Sequence, residues 1–541
     1  MQSTSNMKNN FSYSWRAYLI YIFLGISLFI LVFRIVSLKY IEGDFLTSKG
    51  KIMLKTSRSI PAIRGSILDR NNFPLAVSIN QYDLYALKEF SEEDFKKLRN
   101  LLLLNKDFLD IKKLNKKTLI FSNLNFSQYE NVKSLKLSSI EIEVIQKRYY
   151  PLGEQAATLV GFAGKDGFGL EGLENILDSE LSGEAGKEII YRNASRRPQI
   201  IKEVVQGLDK KLTIDSRIQF YAYKHLSNYI QANNAKGGSA VVLDNISGEI
   251  LAIASFPSYN PNSPQRKIKR NRALNDAFEP GSIIKPLVVA KGIDMGIISK
   301  NQVINTSPGF INLSGRVISD PKNYKNITVS EVIAKSSQVG ASKLALLVGI
   351  EGLISGFKDF GLSRPPNIFF PGIAYGVINS RENITDHEVA SIGFGYSMTA
   401  SSLQLAQAYS VFANDGYLKD FKIFIDNFNS SFEQKVIRSD TAEDILDSLK
   451  LVVSDGTGSL AKLKNFEVAG KTGTSHKASS RGGYDQSKYI ASFVGIAPLK
   501  SRRLTIFVSI DEPGLNNYSG GSVAAPLFAA IASDVLSYLD E

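Results

Sequence analysis

The stretch EPGSIIKP, Glu279 to Pro286, places a serine and a lysine three residues apart, directly after a Pro-Gly pair. Proline and glycine are typical of the turn before a helix, so the pattern predicts that Ser282 lies in a first helical turn. Residues three apart share one helix face, which would bring the Lys285 amine close to the Ser282 hydroxyl. A lysine that burial keeps neutral can take the proton of a serine and make it a nucleophile without a histidine.

The Ser-x-x-Lys spacing alone is also typical of an ordinary capped helix with an exposed lysine, and it recurs at Ser48, Ser355 and Ser459. The amino-acid composition limits the kinds of catalysis that the chain can perform. The 541 residues contain no cysteine, which excludes thiol catalysis, disulfide bonds and cysteine-ligated metals. The three histidines lie far apart, which argues against a histidine metal cluster or a Ser-His-Asp triad. We therefore expect chemistry without imidazole.

The length and charge of the chain set its broad class. A chain of 541 residues exceeds what one hydrophobic core usually organises, so two or more domains are expected. A net charge of +12 would suit nucleic acid, an anionic membrane surface or an acidic polymer. The basic residues are spread along the chain and form no recognisable nucleic-acid module, so no nucleic-acid partner is predicted.

An apolar segment near the N-terminus, AYLIYIFLGISLFILVFRIVSL (residues 17–38), carries Arg34 as its one charge. A membrane-spanning helix needs about 20 mostly apolar residues. A cleaved signal peptide would have a shorter apolar core and a small-residue cleavage site, so we predict an uncleaved transmembrane anchor. Basic residues flank the segment on both sides, so the positive-inside count does not set its orientation.

A second motif, KTGT, follows a short apolar run and is predicted to form an edge strand that faces a ligand. Lys471, Thr472 and Thr474 would offer a cation and hydroxyl groups to a carboxylate. Gly473 would let a substrate backbone approach closely. Between the two motifs, KSSQVGASKLAL has a Ser-x-amide pattern, Ser336 to Gln338, where a helical stretch opens.

Strand-like runs at both ends of the C-terminal region predict one α/β domain. SAVVLD and EILAIAS, joined by NISG, indicate a hairpin. KYIASFVGIAP and RRLTIFVSID indicate two more strands, and SVAAPLFAAIASDVLSYLDE has helical periodicity. The sheet is thus expected to be completed by both ends of its segment.

Ser-x-x-Lys, Ser-x-amide and Lys-Thr-Gly, in this order and widely spaced, resemble the motif set of penicillin-binding proteins and serine β-lactamases. Much of the chain resembles class B penicillin-binding proteins, the single-span transpeptidases of bacterial cell-wall synthesis. The stretches that carry this likeness are RGSILDRN, RYYPLG and GLEGLEN, and then FPSYNPN, NRALNDAFEPGSIIKP, SIGFGYSMTASSLQLAQAYSVFANDG and YIASFVGIAP. SSQVGASKLAL and the length look most like the division-specific, septal member, and the elongation-type member is the alternative.

The resemblance implies a fold and a location. Residues 206–541 would form an α/β (α+β) transpeptidase domain of the penicillin-binding-protein and serine β-lactamase type, with a central antiparallel sheet flanked by helices. Residues 39–205 would form an elongated, non-catalytic α+β module of the pedestal or dimerisation type. Residues 17–38 would be the single anchor in the bacterial cytoplasmic (inner) membrane, with residues 1–16 in the cytoplasm and the catalytic domain periplasmic.

The resemblance also implies a set of catalytic residues. Ser282 would attack the penultimate D-Ala carbonyl of a stem peptide to form an acyl-enzyme, with Lys285 as the general base. Ser336 would relay the proton to the leaving D-Ala amine, and Lys471 would tune the charge of the site. No metal or cofactor is implied.

For substrate binding, the resemblance implies that Thr472 and Thr474 hold the terminal carboxylate beside Gly473, and that the Thr474 N–H completes the oxyanion hole with that of Ser282. Expected partners are peptidoglycan stem peptides, β-lactams as inhibitors, a membrane-embedded glycan polymerase and other division proteins.

The middle motif departs from the family pattern, because Gln338 stands where asparagine is usual. Glutamine keeps the amide but lengthens it by one methylene, so its expected hydrogen bonds to Lys285 or to substrate would have to be re-aimed. The hypothesis is that the backbone adjusts and the enzyme stays active. The rival classes are a catalytically impaired scaffold of the division machinery and a membrane-anchored β-lactamase or β-lactam sensor.

Overall fold

The computed structural model describes residues 14–87, 91–102, 117–191, 199–379, 381, 383–425, 433–479, 482–514 and 517–540. The strands are β1 (Lys55–Ile60), β2 (Ile67–Leu68), β3 (Pro74–Ala86), β4 (Thr118–Leu124), β5 (Ile140–Tyr149), β6 (Phe162–Ala163), β7 (Gly169–Glu171), β8 (Gly186–Tyr191), β9 (Gln199–Lys202), β10 (Lys210–Lys211), β11 (Gly237–Asp244), β12 (Glu249–Phe256), β13 (Ala277–Phe278), β14 (Val303–Asn305), β15 (Phe310–Leu313), β16 (Arg316–Ser319), β17 (Asn326–Thr328), β18 (Ala400–Ser401), β19 (Tyr417–Lys419), β20 (Glu433–Lys435), β21 (Ala469–Ala478), β22 (Tyr484–Ala497) and β23 (Leu504–Asp511). The α-helices are α1 (Ser14–Val36), α2 (Gly43–Leu54), α3 (Glu92–Leu102), α4 (Phe126–Ser134), α5 (Ala157–Val160), α6 (Gly172–Ile176), α7 (Asp178–Leu181), α8 (Ser216–Ala232), α9 (Arg272–Asn275), α10 (Lys285–Asp294), α11 (Val329–Lys335), α12 (Gln338–Asp359), α13 (Asp386–Gly393), α14 (Ser402–Ala413), α15 (Ser439–Ser454) and α16 (Ala525–Asp540).

The contacts divide the chain into two compact units, Met1–Ala62 with Gly183–Gln206, and Ile63–Ser182 with Gly207–Glu541. Most of the expected N-terminal module thus groups with the catalytic region. The boundary at residue 205, which the resemblance implies, stays a prediction.

The first unit contains the predicted anchor and a three-stranded antiparallel sheet in the order β1-β8-β9. The apolar span Trp15–Ile41 has a mean hydropathy of 2.6, and none of it is buried. Two other helices of the described chain, Gln338–Asp359 and Gly520–Asp540, are also long and apolar enough to cross a membrane, but half of each is buried. Burial in a core explains the apolar character of these two helices, so the N-terminal helix is the one of the three that fits a membrane anchor.

In the second unit, three of the stretches that resemble class B proteins share one buried ion cluster. Arg64 bonds Glu174 and Asp178 at 2.6 Å each, and Arg148 bonds the other oxygen of Glu174 at 2.6 Å. Glu174 is fully buried, so its charge is tolerable only because both guanidinium groups compensate it. The role of RGSILDRN, RYYPLG and GLEGLEN seen here is structural.

The catalytic region is built on a five-stranded sheet in the order β12-β11-β23-β22-β21, antiparallel at every pairing. Both faces are buried, as the apolar runs of these strands require. Ala240 and Val242 lie in the core formed with α8 and α16, and Val241 and Leu243 lie in the opposite core, with α14. The expected fold class, the hairpin and the completion of the sheet by both ends of the segment are confirmed.

Candidate active site

The predicted nucleophile lies in a tight turn at the start of a helix. Ser282 belongs to a 3₁₀ turn, Gly281–Ile284, which leads into α10 at Lys285. Gly281 has a φ of 55°, and a Cβ there would lie 2.7 Å from the backbone oxygen of Thr474. Only glycine allows the turn to approach the strand this closely, which explains the Pro-Gly pair before the serine.

A residue from a distant helix fixes the same turn. The hydroxyl of Tyr409, on α14, donates a hydrogen bond of 2.7 Å to the carbonyl of Ile283. Because Tyr409 is fully buried, this hydrogen bond fixes the turn to the core.

Lys285 is buried beside the turn, with 1% of its surface exposed. Its Nζ donates to the Ser336 carbonyl at 2.7 Å and to the Ser336 Oγ at 3.2 Å. Burial lowers the pKa of Lys285 from 10.5 to about 7, and the negative charge of Asp320 acts in the opposite direction. A large neutral fraction is therefore present near pH 7, as a general base requires.

Ser336 lies in the junction between α11 and α12, with the left-handed backbone angles φ 56° and ψ 36°. A capping box between Thr328 and Glu331 starts α11, and the side chain of Ser337 caps α12 by accepting from the Gly340 N–H at 2.9 Å. The reversal of the chain between these helices brings both the carbonyl and the hydroxyl of Ser336 within hydrogen-bonding distance of Lys285.

Lys471 reaches the same hydroxyl from the edge strand β21. Its Nζ donates to the Ser336 Oγ and to the Thr472 carbonyl, both at 3.1 Å. Burial and repulsion from Lys285 hold the pKa of Lys471 well below its usual value. Because the pKa values of both lysines are lowered, the site carries less positive charge near pH 7 than two exposed lysines would.

The other residues of the third motif, Thr472, Gly473 and Thr474, each make different contacts. Thr472 shares a 2.7 Å hydrogen bond with the hydroxyl of Thr457, and the hydroxyl of Thr474 accepts from the Gly520 N–H at 2.9 Å. A Cβ on Gly473 would meet Ser492 at 2.5 Å and Ile283 at 2.6 Å. Gly473 therefore allows β21 to pack against the nucleophile turn, a reason for glycine that the sequence did not indicate.

The side chain of Gln338 forms no hydrogen bond with either lysine in the described chain. Its side chain is exposed and forms no hydrogen bond within the described ranges, whereas its N–H donates to Asp320. The structure thus brings Lys285, Ser336 and Lys471 together through hydrogen bonds, with Ser282 in the turn that leads into Lys285. The amide of the middle motif lies outside this group.

Sequence reasoning missed three supporting residues: Asp320, Tyr409 and Thr457. Each is contributed by an element remote in sequence from the motif it supports, and none has a local pattern that marks it. The described chain also contains no group of three or more His, Cys, Asp or Glu residues that could hold a metal ion.

Comparison with known proteins agrees with this geometry. Residues 238–533 match the family described as penicillin binding protein transpeptidase domain, and residues 59–211 match the penicillin-binding protein dimerisation domain. The chain is 34% identical over 548 residues to peptidoglycan D,D-transpeptidase FtsI of Escherichia coli, with 97% of this chain and 92% of that protein covered. It is 35% identical over 529 residues to the probable peptidoglycan D,D-transpeptidase PenA of Neisseria meningitidis, with 94% and 90% covered.

Solved structures show the same likeness. Penicillin binding protein 3 of Mycobacterium tuberculosis, complexed with ampicillin, is 27% identical with a TM-score of 0.69, over 89% of this chain and 96% of that one. The chain therefore belongs to the penicillin-binding proteins. Within that family it is class B, since a dimerisation domain precedes its transpeptidase domain, and its relatives FtsI and PenA are of the septal type.

Proposed function

We propose that this protein is a peptidoglycan D,D-transpeptidase that cross-links stem peptides during septum formation. The observation that carries the proposal is the hydroxyl of Ser336, which accepts hydrogen bonds from the two buried lysines at 3.2 and 3.1 Å, close to the Ser282 turn. Such an arrangement can move a proton between a serine, an amine and a leaving group without a histidine.

Acylation begins with neutral Lys285. Lys285 takes the hydroxyl proton of Ser282 while the Ser282 Oγ bonds to the carbonyl carbon of the penultimate D-Ala. The N–H groups of Ser282 and Thr474 stabilise the oxyanion, and the Ser282 N–H has no other hydrogen-bond partner in the described part of the chain. The C–N bond to the terminal D-Ala then breaks, and Ser336 passes the proton to the departing amine.

Deacylation transfers the peptide to a second strand. Before the terminal D-Ala of the donor leaves, Thr472 and Thr474, with the nearby Lys471, hold its carboxylate. The amine of a neighbouring stem peptide then attacks the ester, the new amide forms the cross-link, and Ser282 regains its proton. A β-lactam enters the first step in place of the D-Ala–D-Ala bond and leaves a stable adduct on Ser282.

The substrate lies outside the cytoplasmic membrane, which supports an orientation with residues 1–16 in the cytoplasm and the catalytic domain periplasmic. In this location a membrane-embedded glycan polymerase and other division proteins are the expected partners. The alternative is an elongation-type role. A fluorescent fusion of the full chain should form a band at mid-cell, and a dispersed lateral signal would favour elongation.

The decisive test is acylation of the purified full chain in detergent by a fluorescent penicillin, beside a Ser282→Ala variant with the same melting temperature. We expect a stable covalent adduct on the wild-type chain and none on the variant. A folded wild-type chain without an adduct would favour the non-catalytic scaffold. Repeated turnover of the penicillin would instead favour a β-lactamase.

A further inference from the structure

A hairpin outside the three motifs delivers a carboxylate to the start of α12. Strands β15 and β16 pair antiparallel, and Asp320 follows β16 directly. The Asp320 N–H donates to the Gly309 carbonyl at 2.9 Å, and Ile318 anchors the hairpin in the core. Asp320 is half-buried. The packing of Ile318 and the hydrogen bond to Gly309 fix its position.

Three donors from the start of α12 converge on this carboxylate. Ser337 donates its hydroxyl to Oδ2 at 2.6 Å, and the N–H groups of Gln338 and Val339 donate to Oδ1, the second at 3.2 Å. The first N–H groups of a helix have no partner within the helix, and a negative charge there is favourable. Asp320 thus fixes where α12 begins.

The position of Ser336 depends on that start. A left-handed backbone costs a residue other than glycine about 1 kcal/mol or more, so Ser336 keeps it only if both flanking helices are held. The end of α11 is held by the Ser337 N–H, which donates to the Val332 carbonyl at 3.1 Å. The start of α12 is held by Asp320.

Asp320 also supplies the negative charge that acts on Lys285. The other titratable group that faces Lys285 is Lys471, whose pKa is held well below its usual value by burial and by repulsion from Lys285. Three helices pack against α10, namely α11, α12 and α15. Three carboxylates on these helices are paired with other lysines: Glu331 with Lys335, Asp359 with Lys291 and Asp444 with Lys300.

We propose that Asp320 is a positioning residue of the acylation reaction, which holds Ser336 in place through the start of α12 and biases the charge of the lysine pair. The proposal rests on the proposed function, since it concerns how readily Lys285 becomes neutral. Removing the charge of Asp320 leaves protonated Lys285 without its compensating carboxylate, so Lys285 should act as a base at lower pH.

The test measures the second-order rate constant of acylation by a fluorescent penicillin from pH 5 to 9, with the full chain in detergent. For Asp320→Asn we expect the acid limb of the profile to move to lower pH by about half a pH unit or more. We also expect the plateau rate to fall about tenfold or more, because Ser336 is less well held. Ser337→Ala is the matched control, since it loosens the same helix start but keeps the charge. Its plateau should fall while its acid limb stays at the wild-type pH.

An unchanged acid limb in Asp320→Asn, or an equal movement in Ser337→Ala, would overturn the proposal. If Asp320→Asn does not fold, Asp320→Glu replaces it. For this variant we expect a lower plateau rate and an acid limb at the wild-type pH. A plateau rate equal to that of the wild-type chain would count against the proposal. Failure of the proposed function is a separate result, because the wild-type chain itself would then form no adduct.

Discussion

Replacing Lys285 with methionine should change the stability of the protein in a way that depends on pH. In the unfolded chain this lysine has its ordinary pKa of 10.5, and burial lowers the pKa to about 7 in the folded protein. Between these two pH values the unfolded chain binds more protons than the folded chain. The free energy of unfolding must therefore rise with pH across this window.

The magnitude follows from the two pKa values. At pH 7 the buried lysine destabilises the fold by about 4 kcal/mol relative to a group that does not titrate, and at pH 10 by less than about 1 kcal/mol. Methionine has a similar length and removes this term. It also leaves the Ser336 carbonyl without its donor, which costs about 1–3 kcal/mol at every pH. We expect Lys285→Met to be more stable than the wild-type chain at pH 7 and less stable at pH 10, and to form no adduct with penicillin.

Thermal unfolding followed by circular dichroism, at one scan rate from pH 7 to 10, measures this difference on the full chain in detergent. About 3 kcal/mol corresponds to a relative change in melting temperature of roughly 6 °C for a domain of this size. Ser282→Ala is the control, because it alters the same turn without removing a titrating group, and it should follow the wild-type pH dependence. Parallel curves for Lys285→Met and the wild-type chain would refute the reasoning, since Lys285 would then not be neutralised by burial.

Three further substitutions test the geometry around the lysines. Gly281→Ala places a Cβ 2.7 Å from the Thr474 oxygen at a φ of 55°, so penicillin acylation should fall about 100-fold, and a change below about threefold would contradict the packing argument. Tyr409→Phe removes the donor to the buried Ile283 carbonyl, so the free energy of unfolding should fall by about 1–3 kcal/mol. Chemical denaturation measures this change, and an unchanged free energy of unfolding would contradict the expectation. Gln338→Asn should change the acylation rate by less than about tenfold because the exposed Gln338 side chain forms no hydrogen bond with either lysine in the described chain. A gain of several orders of magnitude would show that glutamine impairs the site.

The parts of the site that could be predicted from sequence are those encoded by short-range spacing. The three-residue spacing at a helix start predicts that Ser282 and Lys285 share a face, and the short apolar run before KTGT predicted its edge strand. The meeting of Ser336 with both lysines was implied by resemblance to a family, because no local pattern shows that residues 51 and 135 positions away will converge on it.

The contacts that could not be predicted are set by tertiary packing. The left-handed backbone of Ser336 depends on how two helices are held, and the sequence SSQ carries no glycine to signal it. Asp320 and Tyr409 reach the site from a hairpin and a helix that pack beside it, and many aspartates and tyrosines in the chain do nothing similar. The packing reason for Gly473 was missed because glycine permits several kinds of close approach.

The structure also gives a reason to expect that glutamine is tolerated in the middle motif. An amide at this position would matter most if it held Lys285, but Lys285 already donates to both the carbonyl and the hydroxyl of Ser336. The start of α12 does not need the amide either, because Ser337 and Asp320 satisfy its N–H groups. The side chain of Gln338 is therefore free to differ in length while its backbone N–H keeps its role. We therefore expect Gln338→Ala to retain more acylation activity than Asp320→Asn at the plateau of the pH profile. The reverse order would show that the side-chain amide of Gln338 contributes more to positioning than Asp320 does.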